Sequence, residues 1–242
     1  MKIDLNCDLG EGEPLGHTRE LMRWITSANV ACGGHAGNAV SMRDCVRLTQ
    51  EFDVNLGAHP GPWSRADKGR GAFTITQDSL VSLLVEPVAA LQDIAVAEGA
   101  AIRHIKLHGA LYHAVEQNDE LADAYVKLVH RHWPDVHIIA LSGGQVVGAA
   151  NKNNVPVWRE VFADRAYQNN GQLVPRNQPN AVLTDTGTIV DRIKAFTSNR
   201  HLRSLDGEVI DLACDTVCVH SDSPNAAELV RELARILKDT TA

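Results

Sequence analysis

Side chains able to move protons or bind ions gather at the ends of short apolar runs in this chain. Six such runs occupy residues 3–8, 29–35, 54–59, 104–109, 161–165 and 217–222, and each ends in His, Asp or both, or carries one within it, usually with a Gly beside it. Residues two apart on a strand share a face. Asn6 and Asp8 are therefore expected to point together, as are His104, Lys106 and His108, and His220 with Asp222. A plain core would hold Val or Ile at such positions. Burying these polar groups without partners would be costly, so they need one another, water, a metal or a substrate.

Each candidate has a chemical and a plainer reading. Asp8 and Glu11, beside Gly10 and Gly12, can serve as general base and metal ligand; the plainer role is to cap a turn. His35 and His59 end consecutive strands and, with one carboxylate, could hold a divalent metal with a position open for water; a hydrogen-bonded pair without metal is the alternative. Lys106 can supply positive charge to an oxyanion or phosphate, or pair with an acid such as Asp164. His108 beside it can shuttle protons. Arg165 and Arg176 offer bidentate recognition of a carboxylate or phosphate, or make surface ion pairs of little worth. The catalytic set is thus Asp8, Glu11, Lys106, His108 and Asp164. The substrate-binding set is Asn6, Arg165, Arg176 and His220, and His35 and His59 with one carboxylate are the metal candidates. No GxxxxGK[ST], GxGxxG or GxSxG motif occurs. Without an evident Ser or Cys nucleophile, the residues fit water activation better than covalent acyl transfer.

The elements that must position these residues alternate. Strands are expected near 2–6, 29–33, 54–58, 104–108, 136–141, 157–163 and 216–220. Helices are expected near 18–27, 39–52, 76–99, 119–132, 143–152, 184–197 and 224–238. Thr18 is read as a cap of the first helix, Thr76 to Ser79 as the start of the third, and Pro224 as an early-turn residue of the last. Residues 168–180 read as an ordered loop over the site. Strict alternation implies parallel strands with right-handed crossovers. Seven such units suggest one irregular (β/α) barrel over residues 1–242, with a doubly wound open sheet as the competing topology.

Bulk properties narrow the function classes. The chain has 242 residues and a net charge of -7, which argues against nucleic acid as a partner. No apolar run reads as long enough to cross a bilayer, and the polar N-terminus does not read as a signal peptide, so the expected location is cytoplasmic. Five cysteines without a CxxC pair read as small core residues.

The same residues carry a family resemblance. Ile3-Asp4-Leu5-Asn6-Cys7-Asp8-Leu9-Gly10-Glu11, Ser27-Ala28-Asn29-Val30-Ala31-Cys32-Gly33-Gly34-His35-Ala36-Gly37, Gly57-Ala58-His59-Pro60-Gly61 and Lys106-Leu107-His108-Gly109-Ala110-Leu111-Tyr112 resemble the LamB/YcsF family in the same order. So do Phe162-Ala163-Asp164-Arg165-Ala166-Tyr167, Leu173-Val174-Pro175-Arg176 and Cys218-Val219-His220. The resemblance implies an irregular barrel related to the glycoside hydrolase/deacetylase superfamily. It also implies opening of the lactam of 5-oxo-L-proline to L-glutamate at the expense of ATP, with this chain as the A component of a 5-oxoprolinase acting with partner subunits B and C. On that reading the partners activate the lactam oxygen as a phosphate and this chain directs water at the ring carbon. The deacetylase relation makes Asp8, His35 and His59 candidate metal ligands. Residues 62–72, with Leu107, Asn38, Ser221 and Ser223, depart from the family pattern, and the altered loop bears on substrate identity. A metal-dependent deacetylase or amidohydrolase for an N-acyl sugar, and a non-catalytic carboxylic-acid-binding protein, are the competing functions.

Overall fold

In the computed structural model, which describes residues 3–223 and 225–239, seven parallel strands close into a barrel. They are β1 (Asp4–Leu9), β2 (Ser27–Ala31), β3 (Asn55–His59), β4 (His104–Lys106), β5 (His137–Leu141), β6 (Val157–Phe162) and, after a small antiparallel hairpin of β7 (His201–Arg203) and β8 (Val209–Asp211), β9 (Thr216–His220). Strand β9 lies between β6 and β1 and closes the sheet. The open-sheet topology is thereby excluded. Around the barrel run α1 (Leu15–Met22), α2 (Ala39–Phe52), α3 (Gln77–Ala97), α4 (Gly109–Glu116), α5 (Asp119–His132), α6 (Gln145–Asn153), α7 (Thr186–Asn199) and α8 (Ala226–Asp239).

The alternation of side chains splits each strand between two environments. On β1, Leu5, Cys7 and Leu9 join the main hydrophobic core, while Asn6 and Asp8 bond to polar side chains of other strands. Register carries this around the ring. Asp8 is opposite Asn29 on one side and His220 on the other, and Gly57 is opposite both Asn29 and His104. Barrel interiors of this kind usually hold branched aliphatic side chains. This one is polar: Asp4 accepts from Thr26, Ser27 and Thr216, and Asn6, Asn29, His104, Lys106 and Glu160 lie above it, each almost fully buried.

Several expectations are corrected. The first helix spans Leu15–Met22 and the second strand Ser27–Ala31, so residues 23–27 are not helical. Thr18 lies within α1 and caps nothing there; its hydroxyl donates to Glu13, whose other contacts are the backbone N–H groups of Gly10 and Glu11. Helix α4 and the β7–β8 hairpin are additions to the expected elements. Thr76 does begin α3 in a reciprocal capping box with Ser79. Helix α3 also has the length and apolarity of a bilayer-crossing segment, contrary to the expectation that no run is long enough. Here its stripe Leu80, Leu83, Leu84, Val88 and Leu91 is buried, and the helix packs on α2, α5 and β3. Pro224 lies outside the described residues. All five cysteines are buried and unpaired.

Candidate active site

The carboxyl ends of the strands surround a cavity of about 720 Å³ whose lining includes Asp8, His59, Lys106, His108, Arg165 and His220. Three side-chain systems meet there, and each follows from the strand that carries it.

The first is an ammonium held at the barrel axis. Lys106 on β4 is 1% exposed, so its charge survives only if matched. Its Nζ donates to Asp8 Oδ1 at 2.9 Å, Glu160 Oε1 at 2.8 Å and Cys218 Sγ at 3.0 Å. Burial opposes the charge, but the adjoining carboxylates, Asp8 first, raise the Lys106 pKa well above its ordinary value. Asp8 is the counterpart: burial would raise it, yet His59 and Lys106 hold it well below the usual carboxylate range. The donors of Lys106 are thus committed within the protein. The ion pair with Asp164 considered from the sequence does not form; Lys106 pairs with Asp8 and Glu160 instead.

The second is a cluster of Glu11, His35, His59 and His108. Their ligand atoms all lie within 4.8 Å of one another. Glu11 Oε1 is 3.1 Å from His35 Nε2, 3.1 Å from His108 Nδ1 and 3.7 Å from His59 Nε2. Backbone carbonyls decide the tautomers. His59 Nδ1 donates to the Lys106 carbonyl at 2.8 Å, and His108 Nε2 donates to the Lys68 carbonyl at 2.8 Å. In the neutral rings, His59 Nε2 and His108 Nδ1 are then both unprotonated, and they face each other at 2.9 Å. Two lone pairs at that distance beside a carboxylate require a proton or a cation between them. Burial depresses His108 and takes His35 down to about 4; burial would raise Glu11, but its contacts with His108 and His35 hold it below the usual carboxylate range. Ring-to-carbonyl bonds that aim the second nitrogen inward are the outer-shell pattern of metal-binding histidines. Nitrogen and carboxylate donors suit a divalent first-row ion. The residues present therefore fit a metal. The carboxylate in this cluster is Glu11 and not the expected Asp8, whose Oδ2 lies beside it, 3.4 Å from His59 Nε2.

The third is the dyad of Asp164 and His220. Both Asp164 oxygens lie 3.0 Å from His220 Nδ1, and Asp164 also accepts from the Ser223 hydroxyl. His220 Nε2 is thereby left as the free ring nitrogen, 4.0 Å from Asp8 Oδ2. Burial would raise Asp164, but His220 holds it near about 2. Asp164 is fully buried and reaches the cavity only through His220. Asn6 is likewise beneath the cavity, committed to Glu160, Thr216, Asn29 and Lys106, so it is no surface for substrate.

Cations also line the cavity. Arg165 is 3% exposed and donates to the carbonyls of Val174 and Ala181, both in the stretch 173–182 that follows it. It has no carboxylate partner among the described residues. Burial and neighbouring Arg176 lower its pKa to about 10. Arg176 and Arg70 stand nearer the mouth, where Asp222 lies 3.9 Å from the first and 3.0 Å from the second. Asp222 thus bridges Arg70 and Arg176. Asn29, Glu160, Arg70 and Cys218 belong to the site although strand-end logic does not single them out. The signal for Asn29 and Glu160 is inward strand parity; Arg70, in an aperiodic loop, offers none.

A family model described as LamB/YcsF matches residues 3–242. A protein from Pyrococcus horikoshii, named as the A subunit of 5-oxoprolinase, is 40% identical, over 99% of this chain and 95% of the relative. The crystal structure of a lactam utilization protein from Thermus thermophilus superposes with a TM-score of 0.90 at 33% identity, covering 100% of this chain and 98% of that one. A family 4 carbohydrate esterase from Streptomyces lividans shares the fold, at TM-score 0.50 and 13% identity over 98% of this chain and 88% of that one.

Proposed function

The chain belongs to the LamB/YcsF family, and on that basis we propose that it is the ring-opening A subunit of a 5-oxoprolinase, hydrolysing the lactam of 5-oxo-L-proline to L-glutamate. Consumption of ATP belongs to the assembly with partner subunits B and C, since this chain carries no P-loop motif. The observation that carries the reading is the pair of facing lone pairs on His59 and His108 beside Glu11, lining a cavity that a buried guanidinium without a carboxylate partner among the described residues also lines.

Arg165 binds the substrate carboxylate, with Arg176 beside it, and so turns the lactam carbonyl toward Asp8 and His220. Water attacks that carbonyl, and Asp8 Oδ2 takes its proton. His220 Nε2, aimed by Asp164, relays the proton to the ring nitrogen as the carbon–nitrogen bond breaks. With the lactam oxygen phosphorylated from ATP by the partners and ADP released, ring opening consumes one water and gives an acyl phosphate and an amine, and a second water releases inorganic phosphate and leaves the carboxylate. Lys106 keeps Asp8 ionised until it takes the proton from water and fixes its position. Glu11, His35, His59 and His108 would hold a divalent ion. Bound there, it would supply acidity to water, lowering the pKa of that water toward neutrality, which a carboxylate as weakly basic as Asp8 requires.

The test is glutamate formation by the purified chain, alone and with subunits B and C, from 5-oxo-L-proline with and without ATP. Glutamate is expected with the partners and ATP together. Hydrolysis of an N-acetylated sugar without ATP, or no glutamate from the full assembly, would reject this reading. Elemental analysis tests the cation separately: stoichiometric divalent metal is expected in the native chain and loss of it in His59→Ala.

A further inference from the structure

His104 has no role in the mechanism above, and its surroundings are anomalous for a core residue. The ring is fully buried at the barrel axis, and its Nδ1 has no hydrogen-bond partner among the described residues. An orphaned buried acceptor is destabilising. The fold nevertheless makes room for the ring. A Cβ on Gly57 of the neighbouring strand would stand 1.9 Å from His104 Nε2, so only glycine there admits it.

The other ring nitrogen explains the arrangement. His104 Nε2 is 2.7 Å from Asn29 Oδ1. An amide oxygen only accepts, so His104 carries its proton on Nε2, and Nδ1 is the nitrogen left over. The same bond fixes which way the Asn29 amide faces. Its Nδ2 then donates to Asp8 Oδ1 and to Asn6 Oδ1, both at 2.8 Å. With Lys106 also on Asp8 Oδ1 at 2.9 Å, that oxygen is held from two directions and Oδ2 alone faces His59 and His220. Were Asn29 flipped, its carbonyl oxygen would confront the Asp8 carboxylate.

We infer that His104 and Asn29 form a positioning chain, running through the barrel axis beneath the cavity, that orients Asp8 for proton transfer in the proposed reaction. The chain is His104 Nε2–H to Asn29 Oδ1, then Asn29 Nδ2–H to Asp8 Oδ1. It touches no substrate and acts by holding one carboxylate oxygen so that the other is presented to the cavity. The inference rests on Asp8 being the proton acceptor proposed above.

The experiment uses the complete assembly with subunits B and C and measures kcat, KM and melting temperature together. His104→Leu removes the orphaned acceptor and the Asn29 bond at once. Its melting temperature is expected to equal or exceed the native one, while kcat falls about 10- to 100-fold, the order expected for a small misplacement of a reacting group, and KM stays unchanged. His104→Gln places an amide N–H near the Nε2 position and is expected to recover most of kcat. Asn29→Ala should lower kcat to the same extent as His104→Leu, and the double variant should be no worse than either. Should His104→Leu disrupt folding, the Gln and Asn29 variants still decide the matter. Native kcat in His104→Leu or Asn29→Ala, or loss of activity tracking loss of stability alone, would overturn the chain. Asp8→Asn in the same assay separates the two failures. If it is fully active, the proposed mechanism falls; if it is inactive while His104→Leu is normal, only the positioning chain falls.

Discussion

At Lys106, one buried ammonium is shared by Asp8 and Glu160. Removing it leaves two carboxylates in the barrel axis without a counter-charge, which for buried pairs costs about 3–5 kcal/mol. Lys106→Met is expected to lose that much in urea denaturation at neutral pH; a change within about 0.5 kcal/mol, the range of ordinary surface substitutions, would contradict the pairing. Arg165 presents the opposite case, a buried cation with no carboxylate of its own. If it binds the substrate carboxylate, Arg165→Gln should raise KM about 10- to 100-fold, equivalent to one lost charge-assisted hydrogen bond, with a smaller change in kcat. Steady-state kinetics of the assembled enzyme measures both, and an unchanged KM would remove Arg165 from the substrate site. These two cations follow strand positions and are legible from the residues alone. Their partners are less so: Glu160 lies just before the run at 161–165, whereas the chemical signal in the sequence concentrates at run ends.

At the scale of elements, the cavity depends on helices meeting strand ends, and Glu116 marks one such junction. It ends α4, and its carboxylate accepts from the backbone N–H groups of Leu141, at the end of β5, and Val146, in the first turn of α6. Burial raises its pKa from 4.5 to about 7. A carboxyl whose folded pKa exceeds its unfolded value contributes stability below the unfolded pKa and loses it as pH rises through the folded one. The native protein should therefore lose stability relative to Glu116→Gln between about pH 4.5 and 7. Melting curves across that window test this; a difference independent of pH would contradict it. The order of strands and the outer helices can be read from periodicity. Helix α4 cannot, because Gln117 and Asn118 are all that separate it from α5 and Gly109 opens it. The β7–β8 hairpin does leave a signal in Asp206-Gly207, a hairpin-turn pair between short alternating segments, but an alternating strand–helix pattern gives no place to two strands with no helix between them.

For the whole molecule, barrel closure brings residues from 6 to 222 of the sequence to one rim and its axis. Three segments then cross the mouth. Residues 60–70 reach His108 through the carbonyls of Pro60 and Lys68, the stretch 173–182 holds Arg165, and Asp222 after β9 joins Arg70 to Arg176. The convergence of Asp8, His35, His59 and His108 follows from strand-end logic. The exchange of Glu11 for Asp8 in the ligand cluster does not, because the glycine turn after β1 sets which carboxylate swings toward His35, and spacing along a chain does not encode that. In the proposed reaction Asp8 lies where water is deprotonated. The most direct test of this is the rate of glutamate release from 5-oxo-L-proline and ATP by Asp8→Asn assembled with subunits B and C, with folding verified by an unchanged circular dichroism spectrum. A fall of at least about 100-fold is predicted, within the range attributed to positioned general bases; a folded variant turning over at the native rate would contradict the account.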